Sequence, residues 1–163
     1  MRRHAYTLCL LLGSILAMGA AYRIKTVKIR PIESYPAQTT ASGITVAADP
    51  YTTDERSYKA FDYKKLNSRG YFPVHVIIQN NTQDFWIVRT RNIVLITESA
   101  EHVYTVPGNV VAEDLFSGSD LDKMPDKPRK PSKTTRPGTP LSDFTEKDLT
   151  NRLLEPGKIS HGF

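Results

Sequence analysis

Tyr71-Phe72-Pro73-Val74-His75-Val76-Ile77-Ile78-Gln79-Asn80-Asn81-Thr82-Gln83-Asp84 carries the plainest structural signal in the chain. Side chains alternate across a strand, so Val74, Val76 and Ile78 fall on one face and His75, Ile77 and Gln79 on the other. Asn and Asp accept turn geometry and bond their own backbone, so the Asn/Thr/Asp cluster ends the run. Further β-prone runs follow at Phe85–Arg89, Ile93–Thr97 and Val103–Val106, with Glu98–Glu101 as a turn. Strands at this spacing, separated by polar turns, predict an antiparallel sheet folded into a sandwich. In that reading Val74 through Ile96 form one wall of a sheet-on-sheet interior.

Upstream, Ile44–Ala48 reads as a short strand stopped by Asp49-Pro50, because proline cannot donate to a ladder. Thr53 suits a helix cap, and the spacing of Tyr58, Phe61 and Leu66 predicts a helix over 53–66. Downstream, Pro107-Gly108-Asn109 opens a helical stretch, Val110–Phe116, with Val111 and Leu115 on one side. Residues 117–140 lose almost every hydrophobic side chain and gather Pro125, Pro128, Pro131, Pro137 and Pro140 among lysines and arginines. Such a Pro/Lys-rich insertion cannot offset its ordering entropy and reads as a disordered loop or extended spacer. Ser142 then caps a last helix through Leu154, with Asp143 and Glu146 near its positive end and Leu149 and Leu153 on one face. Pro156-Gly157 stops it, and Lys158–Phe163 reads as the opening of another strand.

The amino end is of another kind. Arg2 and Arg3 precede an uncharged apolar run over residues 5–21 that ends in small side chains. This is either a cleavable export signal or a membrane anchor. The expected location is extracytoplasmic, periplasmic or secreted, with attachment by residues 5–21 as the alternative. The one cysteine, Cys9, lies in this leader, so no disulfide holds the fold. Residues 22–42 form a basic connector, in which Ile24, Val27 and Ile29 between lysines and arginines read either as a guarded edge strand or as an extended tether. The expected β-sandwich domain spans 43–116, and the terminal unit spans 141–163.

The chain of 163 residues has 22 basic and 17 acidic side chains; without Arg2 and Arg3, 20 stand against 17, an excess of +3. That is too mild and too scattered for a nucleic-acid partner. His4, His75, His102 and His161 lie far apart, with no spacing that gathers metal ligands. Asp49, Asp54 and Glu55 flank a proline turn and read as caps and solvated charges rather than a general acid–base pair. There is no G-x-S-x-G elbow, P-loop or G-x-G-x-x-G cradle. No catalytic, cofactor-binding or metal-ligating residue is therefore assigned. Asn80-Asn81-Thr82 matches the N-glycosylation pattern but is already accounted for as a turn. Tyr71, Phe85 and Trp86 are the candidate partner-binding residues; the competing reading buries them in the core, as large aromatics in a small domain favour.

Gly43 to Val106 contains Gly-Ile-Thr-Val-Ala-Ala-Asp-Pro-Tyr, Gly-Tyr-Phe-Pro-Val-His-Val-Ile-Ile-Gln-Asn and Ile-Val-Leu-Ile-Thr. With these motifs and the late Pro156-Gly157 and Gly162-Phe163, the chain resembles small, uncharacterised exported bacterial proteins with an immunoglobulin-like β-sandwich domain. The resemblance implies a mainly β fold with two or three short helices and brings no catalytic residues. In proteins of this look a full apolar strand follows the Pro-Gly turn. Here only its start is expected, so either the chain is truncated or a partner supplies the last strand. The expected function is a non-enzymatic module for protein binding or assembly in the cell envelope, its partner an envelope protein held by strand addition at an open sheet edge. The alternative is an envelope-polymer hydrolase or its accessory subunit. A pocket holding two acids, or an acid and a histidine, favours that alternative; a flat, apolar or edge-strand surface favours the binding module.

Overall fold

The computed structural model describes residues 22–116 and 139–163. The leader, with His4 and Cys9, and most of the Pro/Lys-rich insertion lie outside the described residues. Within them the chain is mainly β, with eight strands in antiparallel sheets and three α-helices.

The central strand is β3, Val74–Asn80, flanked by β2 (Ile44–Pro50) and β8 (Ile159–Gly162). β1 (Ala37–Ala41) completes a four-stranded sheet of order β1-β2-β3-β8. The β1–β2 hairpin turns on Ser42 and Gly43, both at positive φ (50° and 76°), the two-residue geometry that follows strand twist. Gly43 is also needed for space, because a Cβ there would sit 2.5 Å from Thr82 Cγ2. β1 is a correction: its residues lie in the stretch read as connector. Ala-Gln-Thr-Thr-Ala has no apolar alternation because all five positions are exposed at the sheet edge.

β3 reads as a nearly continuous apolar run because both of its faces are covered. Ile77 packs with Ala47, Ile32 and Tyr35, the last two contributed by the chain entering β1. On the other face Ile78 packs with Val88, Leu149 and Leu154, bordered by Ile44, Val46, Val76 and Ile93. Val76 and Ile78 thus face an interior as expected, yet His75 and Ile77 on the opposite face are buried more deeply. Full burial of such an aliphatic side chain contributes roughly 1.5–3 kcal/mol.

The covering layer on the Ile78 face is a two-stranded ribbon of β4 (Trp86–Val88) and β7 (Arg152–Leu154). β7 corrects the expectation of a helix through Leu154. Leu149 and Leu153 are four apart but do not share a face: Leu149 and Leu154 turn inward while Leu153 points out. β5 (Val94–Ile96) and β6 (His102–Tyr104) form a separate hairpin. The runs after Asp84 therefore do not extend the main sheet one after another.

Helix α1, Asp54–Ala60, is capped by Thr53, whose Oγ1 accepts from the Arg56 amide at 3.2 Å. It ends earlier than the expected Leu66. The Asp54 carboxylate captures the amides of Asn67 (2.7 Å) and Ser68 (3.1 Å), folding the chain back on the helix start. Phe61 is thereby freed to stack on Phe144, ring centroids 4.4 Å apart. Helix α2, Gly108–Phe116, buries Val111 and Ala112 against these rings. Helix α3 is Pro140–Lys147, with Thr139 rather than Ser142 as its cap; Ser142 is the reciprocal partner of that capping box. The three helices share one cluster of Ala60, Phe61, Leu66, Val111, Ala112 and Phe144.

Asn80 fastens the sheet to its covering ribbon. Its amide nitrogen donates to the carbonyls of Asp84 (2.7 Å) and Leu154 (3.2 Å), and its Oδ1 accepts from the Thr82 amide and hydroxyl. The bond to residue i+2 is the self-capping expected of Asn in a turn. Asn80 is fully buried, so the fold does not display the glycosylation pattern. Replacing Asn80 by Ala leaves buried backbone groups without partners and is expected to cost about 2 kcal/mol, measured by urea denaturation.

Ile159–Gly162, read above as only the start of a closing strand, pairs in register with Val76–Gln79 and fills that place in the sheet. It is cryptic in sequence because Ser160 and Gly162 are its buried positions. Gly162 packs so closely that a Cβ would lie 2.6 Å from the Leu149 backbone.

Candidate functional site

Tyr71, Phe85 and Trp86 do not converge. Tyr71 is half-buried against the helical cluster and donates to Asp114 Oδ2 at 3.0 Å. Burial, reinforced by that carboxylate, raises its pKa. Phe85 and Trp86 are exposed, contrary to the core reading, and Trp86 Nε1 donates to Thr82 Oγ1 at 3.0 Å. Trp86 pairs with Leu154 and shares the face of Val88, but it sits at the end of a three-residue strand, where the ring is left 40% exposed, while Val88 and Leu154 are buried.

These two rings border an apolar surface. Ile87 and Leu153, directly opposed in the β4–β7 ladder, both point to solvent. Beyond them, Leu95, Ile96, Val103 and Tyr104 in the β5–β6 hairpin are 43–65% exposed. Neither hairpin strand pairs with a third described strand. A lone two-stranded hairpin is marginal in water. Its tip is held locally, with Thr97 Oγ1 accepting from the Glu101 amide at 3.1 Å. Leu95 and Val103 are directly opposed on one face of the hairpin and Ile96 and Tyr104 lie on the other, so both faces present apolar side chains to solvent, exposure of a kind that marks an interaction site.

A second feature is a cleft of about 260 Å³ lined by Ile24–Val27, Asp143, Glu146, Lys147, His161 and Phe163. Asp143, 1% exposed, receives Lys147 Nζ at 2.5 Å on one oxygen and the Tyr22 hydroxyl at 2.5 Å on the other. Lys147 also donates to the Ala60 carbonyl at 2.6 Å. Burial pushes the Lys147 ammonium below its usual range, with the Asp143 carboxylate opposing. Burial and the same carboxylate hold the Tyr22 hydroxyl protonated.

Behind the cleft, His75 Nε2 and His161 Nδ1 share a hydrogen bond at 3.1 Å, although no sequence spacing links them. The His75 ring also stacks on Phe163, centroids 4.8 Å apart. Burial, with His161 adding to it, lowers the His75 pKa to about 4 against the pull of Asp49. Burial also lowers His161.

The cleft thus gathers an acid with a histidine: both Asp143 oxygens are taken by Tyr22 and Lys147 and His161 Nδ1 is shared with His75, and these contacts join Tyr22, α3 and β8. Asp49 pairs with Arg56, and hydrogen bonds from Ser68 help hold the Asp54 carboxyl below its usual range, so Asp54 is not tuned for proton donation at neutral pH. Among the described residues no group of three or more His, Cys, Asp or Glu side chains is placed to hold a metal ion. Nor is any described helix long and apolar enough to cross a membrane.

Comparisons with protein-family models, curated proteins and solved structures return no match to this chain. The class of protein therefore rests on its own geometry: a small, mainly β protein with antiparallel sheets, an exposed apolar hairpin and a charge-paired cleft.

Proposed function

We propose that this chain is a non-enzymatic, extracytoplasmic module for protein binding or assembly, and that its partner docks on the β5–β6 hairpin and the adjoining outer face of β4–β7. The single observation that carries the reading is the exposure of Leu95, Ile96, Val103 and Tyr104 on both faces of an element that lacks a third strand among the described residues. An open hairpin edge offers backbone donors and acceptors to an incoming strand, while alternate apolar side chains supply specificity. We read the four-stranded sheet and the β4–β7 ribbon, stacked across Ile78, Val88 and Leu154, as a small β-sandwich of the immunoglobulin-like kind. The apolar run over 5–21 supports export, with membrane attachment by those residues as the alternative.

The test is photo-cross-linking in the native envelope from a probe placed at residue 95 or 104, with residue 158 as control. The expected outcome is a discrete adduct from 95 and 104, lost when Ile96 and Val103 are both changed to Ser. Equal adducts from all three positions, or none, would count against the reading. The hydrolase alternative is favoured by one observation, the Asp143, Glu146 and His161 lining of the cleft. Release of envelope polymer that is abolished by Glu146→Gln or His161→Ala would establish it instead.

A further inference from the structure

The strap Tyr22–Arg30 runs over the helical cluster without pairing in any sheet. Tyr22 and Val27 turn inward, whereas Ile24 (48% exposed) and Ile29 (40%) point to solvent. Arg23 and Lys28 are exposed beside them and form no ion pair among the described residues. Arg30 reaches Asp49 only at 3.9 Å, while Lys25 is paired with Asp62 at 3.2 Å. Cations interleaved with exposed isoleucines on an extended segment suit the boundary between headgroups and acyl chains.

What lies next to the strap is set by the chain itself. The uncharged apolar run ends at residue 21, and the fold takes hold at the very next residue. The Tyr22 hydroxyl is bonded to buried Asp143, and its ring meets Phe116 edge-on at 5.7 Å. The Arg23 amide donates to Asp62 Oδ2 at 2.8 Å. No slack separates the apolar run from the domain, so a bilayer holding residues 5–21 comes within a residue or two of the strap. Arg23 and Lys28 would then lie within about one Debye length, roughly 10 Å, of its charged surface.

We propose that Tyr22–Arg30 is a lipid-facing strap that seats the domain directly on an anionic bilayer surface through Arg23, Lys28, Ile24 and Ile29. This rests on the membrane-attached alternative for residues 5–21 and on residues other than those of the protein-docking surface, so the two proposals are tested separately.

The test uses the full chain reconstituted in vesicles of phosphatidylcholine alone or mixed with phosphatidylglycerol. A single fluorophore is placed at Ile24→Cys, Ile29→Cys or Lys158→Cys in a Cys9→Ser background. Residue 158 adjoins β8 at the end away from the cleft, so it serves as the distant reference. A headgroup-borne quencher reports contact. The expected result is roughly threefold stronger quenching at 24 and 29 than at 158 in anionic vesicles, reduced by high salt, by neutral lipid and by Arg23→Gln with Lys28→Gln. No excess quenching at 24 and 29 overturns the proposal. So does an excess that is indifferent to lipid charge and to both substitutions, because tethering alone would then explain it.

Discussion

Replacement of Asp143 by alanine is expected to lower the unfolding free energy by about 3–5 kcal/mol, the range for breaking a buried ion pair from one side. The cost comes from what remains. Lys147 Nζ keeps the Ala60 carbonyl and its place over the Phe61 ring but loses its counter-charge, and the Tyr22 hydroxyl loses its acceptor. An uncompensated ammonium at a site only 14% exposed is costlier than either isolated loss. Asp143→Leu combined with Lys147→Met removes both charges and is expected to recover most of the stability, since a buried pair can be replaced by apolar packing at little net cost. Guanidinium denaturation of the three proteins checks this. A single variant as stable as the parent would mean that water already solvates the pair.

Stability is expected to fall as pH drops from about 6.5 to 4, and His75 to be a principal cause. Its folded pKa of about 4 lies below the unfolded value near 6.5, so over this window the unfolded chain binds more protons than the folded one. Stability then rises with pH and is fully present above 6.5. His75 is 1% exposed, and the shift corresponds to about 2–3 kcal/mol lost by pH 4. The geometry gives the reason: two neutral imidazoles can share one proton across 3.1 Å, but two imidazolium rings present a donor to a donor. Lowered His161 adds to the same slope in the same direction. Asp49, which faces His75 across the β2–β3 ladder, acts against it. Substituting His75 by Gln is expected to flatten the decline between pH 6.5 and 4; an unchanged slope would place its origin elsewhere.

Much of the sheet was legible because its signals are local. Val74–Gln79 alternates, Asn80 caps its own turn, and Thr53 caps α1, each through contacts within a few residues. The parts that were not legible depend on distant partners. β1 has no apolar pattern, since an exposed edge imposes none. β7 looked helical because Leu149 and Leu153 have helical spacing, and only the β4 strand it pairs with reveals Leu154 as the inward residue. β8 buries Ser160 and Gly162, residue types that carry no strand signal. The cleft was invisible for the same reason: Tyr22 and Asp143 are 121 positions apart, and His75 and His161 are 86 apart. Phe85 and Trp86 are exposed, as a partner-binding role requires, but so are Ile87, Leu95 and Ile96, whose sequence pattern equally suits the wall of an interior. Hydrophobicity alone does not separate a buried strand from an exposed one that awaits a partner.

Amide hydrogen exchange of the full-length protein, free of partners, tests most directly whether the hairpin is an uncovered ribbon. Amides of Val46, Ala48, Ile77 and Gln79 in β2 and β3 should exchange only through global unfolding, while those of Val94–Ile96 and His102–Tyr104 should exchange orders of magnitude faster. Hairpin amides protected as strongly as those of β3 would contradict the account, because they would show Leu95, Ile96, Val103 and Tyr104 already packed inside the fold rather than held out for another protein.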